Sequence, residues 1–132
     1  MRLPQYVLDW TEKAENDYRG AEDLYRRRKG PLLDLVCFLT QQCAEKYLKA
    51  FLVSKKIDFP KTHDLIELLR LALPSNRGLD VLEEDLLSLT PFAVNFCYPD
   101  AQATAEDARV AMRAVRRVRK VMREILGLGN SP

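Results

Sequence analysis

Apolar positions recur along this chain at steps of three and four, and no stretch alternates convincingly in the manner of a strand. Five segments carry that helical period. The first covers residues 4–28, where Val7, Trp10, Ala14, Tyr18, Ala21 and Tyr25 make one stripe. Pro4 suits a first turn, the run Arg26–Lys29 suits a helix C-terminus, and Gly30-Pro31 stops the pattern. The second covers 32–55, with Val36, Leu39, Cys43, Tyr47 and Ala50 in its stripe and Leu35, Phe38 and Phe51 widening it. So broad an apolar face predicts the central helix of a bundle. A short third helix is predicted over 62–73, beginning at Thr62 or His63, with Leu65, Leu68, Leu69 and Ala72 inward. The fourth covers 79–94, with Leu82, Leu86, Leu89 and Ala93 inward and Pro91 expected to kink or end its last turn. The fifth covers 104–126, on Ala108, Met112, Val115, Met122 and Ile125.

These elements predict an all-α fold, an up-and-down bundle of four or five helices. Residues 1–127 form one domain in this reading, and 128–132 form a flexible tail. The length of 132 residues fits a single domain, and the chain is 47% hydrophobic and 30% charged, enough for one core and a solvated surface. No long apolar run is present, so no membrane span is expected. The first ten residues lack the apolar core of a signal peptide. Cys37, Cys43 and Cys97 are odd in number and unpaired in spacing, which suggests neither a disulfide scaffold nor zinc. A reducing cytoplasm is the expected compartment. The net charge of +2 decides little by itself.

Polar residues concentrate on the second helix as Gln41, Gln42, Glu45, Lys46 and Lys49. Glu45 and Lys49 are spaced for an ion pair one turn apart. The plainer reading is a solvated face. The sharper one is a half-covered patch lining a cleft, because the helix is central. His63 is the one histidine, at a loop-to-helix junction, where capping competes with ligand binding. Tyr98-Pro99-Asp100 rides on the irregular connector 95–103, either as turn residues or as a cleft edge. On the fifth helix Arg109, Arg113, Arg116, Lys120 and Arg123 form a basic stripe, broadened by Arg117 and Arg119. Within that helix only Glu106, Asp107 and Glu124 offset it. It reads as a solvated face, or as a track for phosphates or an acidic partner. The chain has no Glu-x-x-His, no HExxH and no glycine-rich phosphate loop, so no metal site and no cofactor are expected. A Cys–His nucleophile would need Cys97 or another cysteine beside His63.

AENDYRGA at 14–21, TQQCAEKYLKA at 40–50, PKTHDLIELL at 60–69 and YPD at 98–100 together resemble the HEPN domain. The likeness spans nearly the whole chain, with the motifs in order. It implies a helical bundle that forms homodimers and pairs with a small separate nucleotidyltransferase, in modules like toxin–antitoxin pairs. It also implies binding of a nucleotide or RNA. RNase members carry Arg, then His after four to six residues, and a short form reads Arg-Tyr-Pro-Asp. Here His63 lacks such an arginine, and Cys97 stands where the short form has arginine. Tyr98 is thereby a weak counterpart of the tyrosine that is modified with AMP in such toxins. The expected function is a nucleotide- or partner-binding subunit rather than an intact RNase. Gln42, Glu45, Lys46, Lys49, His63, Tyr98 and Asp100 are its expected lining. The competing expectations are an RNase with a non-standard site using His63, and a regulatory protein that uses the basic helix.

Overall fold

The computed structural model describes residues 2–27, 30–93 and 101–129, which form helices joined by turns and loops, with no strand among them. Five α-helices follow in order: α1 Gln5–Arg27, α2 Gly30–Ser54, α3 Leu65–Ala72, α4 Glu83–Leu89 and α5 Ala105–Leu126. Short 3-10 segments precede and follow α4, at Arg77–Leu82 and Thr90–Ala93. The all-α bundle expected from the apolar period is the fold observed.

The helix α2 lies in the middle and packs chiefly on α1 and α5, with α3 against its far side. Its Val36, Cys43, Ala44, Tyr47, Leu48 and Phe51 are buried. The α1 face that meets it is built from small residues, Thr11, Ala14 and Ala21. Gly20 extends that close approach, since a Cβ there would stand 3.2 Å from Leu39 Cδ1. From α5, Ala108, Met112, Val115, Val118 and Met122 close the core on the other side. Leu35 and Phe38, expected to widen the apolar face of α2, are exposed instead. They lie on the outer face of the first turns of α2, whose inner side buries Leu33, Val36 and Cys37.

Local chemistry sets the ends. At α3 the cap is Asp64, not Thr62 or His63: its carboxylate accepts from Ile66 N (3.0 Å) and Glu67 N (3.4 Å). That later start frees the His63 side chain for another partner. The predicted fourth helix is broken in two places. Asn76 caps a 3-10 turn first, and Pro91 lies in a second 3-10 turn rather than in α4. A capping box between Thr104 and Asp107 opens α5. Gly127, at φ 73°, closes it, with Leu128 N donating to Arg123 O at 2.8 Å.

The end of α2 uses the same closure without glycine. Lys56 takes φ 58° while Ile57 N donates to Leu52 O at 2.9 Å. A side chain in the left-handed region is disfavoured by about 1 kcal/mol or more, a cost that glycine avoids. Lys56→Gly is therefore expected to raise unfolding stability by about 1 kcal/mol in urea melts. A loss of stability would contradict this reading of the turn.

Candidate functional site

A bundle whose middle helix carries charge must neutralise that charge inside. Gln41, Glu45 and Lys49 follow one another at one-turn steps on α2, and all three are buried. The Glu45 carboxylate is the hub. It accepts from Lys49 Nζ at 2.9 Å and from Gln41 Nε2 at 3.3 Å, and it meets His63 Nδ1 at 2.8 Å. Gln41 Nε2 also donates to the His63 backbone oxygen at 3.0 Å. The loop before α3 is thus tied to α2 at two points, through the His63 ring and the His63 carbonyl.

Burial pushes the Glu45 carboxyl up. The hydrogen bonds from His63 and Lys49, and the Lys49 charge, outweigh it and hold the group below its ordinary value of 4.5. Glu45 is therefore an anion near neutral pH, and His63 Nδ1 is the donor to it. The other ring nitrogen, Nε2, is left to the solvent side, where the His63 side chain is 65% exposed. In a neutral ring, a carboxylate that accepts from Nδ1 leaves Nε2 as the acceptor.

Aromatic rings flank the cluster. Lys49 Nζ lies 5.9 Å from the Trp10 ring centre and 5.6 Å from that of Phe59, and the two rings meet edge to face. Trp10 also lines an open, mostly apolar groove of about 470 Å³ together with Asp9, Lys13 and Lys46. That size lies in the range of small-molecule sites, about 300–1,000 Å³. Lys46 pairs with Asp17 of α1 at 2.5 Å, at the groove's edge.

The expected lining is thus partly assembled. Glu45, Lys49 and His63 meet directly. Gln42 joins through Gln41, donating to its Oε1 at 2.7 Å, and Lys46 joins through the groove. Tyr98 and Asp100 lie outside the described residues. Trp10, Gln41 and Phe59 belong to the same corner and were not assigned to it from the sequence. Gln41 was visible as part of the polar run, but Trp10 and Phe59 are remote in sequence and carried no signal beyond apolarity.

The remaining candidates resolve differently. Burial pushes the Cys37 thiol up to about 12 and Cys43 well above its ordinary value, so neither is a nucleophile near neutrality. Cys97 lies outside the described residues. Among those residues no group of three or more metal-binding side chains gathers, and no helix is long and apolar enough to cross a membrane.

The basic stripe of α5 divides in two. On one side Arg119 makes a bidentate pair with Glu15 of α1, at 2.8 Å for each bond, and Arg116 reaches Glu22 at 3.4 Å. Arg123 donates to the Tyr47 hydroxyl at 3.1 Å, and that hydroxyl donates to Glu15. Burial pushes the Glu15 carboxyl up, but Arg119, Tyr47 and Arg123 hold it below 4.5. These arginines bind α1 to α5; Arg119 and Arg123 are enclosed, while the Arg116 side chain is 48% exposed. On the outward side Arg113, Arg117 and Lys120 remain exposed.

A small helical bundle whose central helix holds a glutamate–lysine pair, joined by a histidine from the loop before α3 and flanked by aromatic rings, is the class of structure defined here. The HEPN domain family model matches residues 7–125, and the chain belongs to the HEPN domain family. The fold is similar to that of TT1696 from Thermus thermophilus, with TM-score 0.74 and 21% identity over 89% of this chain and 96% of that one. It is also similar to ST0689, an archaeal HEPN homologue, with TM-score 0.70 and 26% identity over 91% and 97% of the two chains. No curated protein matches the chain.

Replacing Glu45 with glutamine removes the charge while keeping the shape. Lys49 then loses its buried counter-ion, and Glu45→Gln is expected to cost about 3 kcal/mol of stability near neutral pH. Because the folded value of Glu45 is lowered, its contribution is full above 4.5 and is lost as the pH falls through the folded value. Urea melts from pH 7 to pH 3 should show the gap between wild type and variant closing toward the acid end. A gap that stays constant would contradict the ionised hub.

Proposed function

We propose that this chain is a binding subunit, not a self-sufficient enzyme, and that the corner around Glu45, His63, Lys49 and Trp10 receives a nucleotide. In this reading two copies associate, and the site serves a small nucleotidyltransferase partner in a toxin–antitoxin-like module. The observation that carries the reading is the groove of about 470 Å³ with Trp10 in its wall and lysines 13 and 46 at its rim. An indole face accepts a nucleobase by stacking, and ammonium groups suit phosphate oxygens. The held imidazole of His63 belongs to the Glu45 cluster, which reaches the groove wall through Lys49 and Trp10. Membership of the HEPN domain family is consistent with this assignment.

Calorimetric titration with ATP and AMP tests it. Trp10→Ala is expected to weaken binding about tenfold or more, since stacking contributes about 1–3 kcal/mol per base. Absence of measurable binding to either nucleotide, with no nucleotidyltransferase co-purifying, would overturn the proposal.

One observation favours a second reading, a non-standard RNase. Glu45 orients His63 so that Nε2 is free to take a proton, as a general base must. Against it, His63 has no arginine at the motif spacing. Incubation with total RNA separates the two: cleavage that disappears in His63→Ala supports the second reading, and intact RNA removes it.

A further inference from the structure

The groove beside Trp10 carries less free positive charge than its lysines suggest. Lys46 Nζ already lies 2.5 Å from the Asp17 carboxylate, and both side chains are largely covered, at 24% and 17% exposure. That ammonium would have to give up a short charged bond before it could serve a ligand fully. Lys49, set against the same indole, is bound to Glu45 at 2.9 Å. Of these three lysines only Lys13, exposed at the rim, has no carboxylate partner among the described residues.

Opposing charge stands in the same wall. Asp9 lines the groove one helical turn before Lys13 and is exposed. Its Oδ1 accepts from Gln5 Nε2 at 2.9 Å, a neutral donor that leaves the negative charge in place. Asp9 and Asp17 thus match Lys13 and Lys46 charge for charge. The backbone adds no donor. Trp10 and Lys13 lie inside α1, and Lys46 lies inside α2, where the peptide N–H groups are spent on the helix itself. A triphosphate, by contrast, is held where several free backbone N–H groups and cations converge on it.

We infer that the groove takes a nucleotide with one phosphate, a nucleoside monophosphate, and turns triphosphates away. The inference rests on the nucleotide reading above and narrows its ligand class. The base stacks on the Trp10 indole, and the phosphate is taken by Lys13, the ammonium that is free to receive it. Each further phosphate adds negative charge that meets the Asp9 carboxylate and finds no free cation. Asp9 and Asp17 therefore act as a charge filter. One takes Lys46 out of play, and the other repels what Lys13 alone does not neutralise.

Calorimetric titration with adenosine, AMP, ADP and ATP in magnesium-free buffer tests the filter. AMP is expected to bind about tenfold tighter than either adenosine or ATP, with ADP between AMP and ATP. Added salt should shrink the gap between AMP and ATP. Lys13→Ala should bring AMP down to the level of adenosine. Asp9→Asn should raise ATP affinity about tenfold and leave adenosine unchanged, because it lifts the repulsion and spares the stacking wall. Asp17→Asn should act in the same direction by releasing Lys46. Asp9 is exposed, so its variant tests the filter even where Asp17→Asn fails to fold. ATP binding as tightly as AMP, or a preference for AMP that Asp9→Asn leaves intact, would remove the filter while the nucleotide reading stands. Absence of binding by all four ligands would overturn that reading and the filter with it.

Discussion

Everything distinctive about this bundle follows from the enclosure of α2. A helix packed by α1, α3 and α5 buries most of its middle turns, and the sequence places Thr40, Gln41, Glu45 and Lys49 among the buried positions. An unpaired charge in that position would cost several kcal/mol, so each polar group must find a partner. No buried side-chain nitrogen or oxygen lacks one among the described residues. The partners come from different elements: Lys49 from within α2, His63 from the loop before α3, Tyr47 and Glu15 across the α1 interface. The demand for satisfaction is what draws His63 to α2 and holds its ring.

Two carboxylates share this organising role at different places. Glu45 gathers groups at the α3 side and leaves one imidazole nitrogen outward. Glu15 gathers Arg119, Arg123 and Tyr47 at the α5 side and leaves nothing outward. The first keeps one partner exposed, the His63 ring. The second is a brace because all its partners are enclosed. The same logic separates the arginines of α5 that hold α1 from those that face away.

The helical architecture was legible because the apolar period is long and uninterrupted in α1, α2 and α5. The Glu45–Lys49 pair was legible from spacing alone. Other features depended on long-range geometry that no local pattern encodes. His63 looked like a cap, but Asp64 next to it is the better cap, and the histidine ring is free to reach Glu45, 18 residues away. The basic stripe looked continuous because its neutralising acids, Glu15, Glu22 and Asp85, belong to other helices. Leu35 and Phe38 were expected to widen the apolar face of α2 yet lie on its outer side, while Val36 and Cys37 between them are buried. Trp10 and Phe59 were simply apolar until the fold placed Lys49 between them.

The central claim is that an ionised Glu45 fixes the His63 ring with Nδ1 as donor. Nitrogen-15 NMR of the imidazole, at a pH where His63 is neutral, reads the tautomer directly. The account requires the proton on Nδ1 in the wild type and its return to Nε2 in Glu45→Leu, where no acceptor remains. A wild-type ring protonated on Nε2 would contradict the account, because Glu45 would then not be the group that orients it.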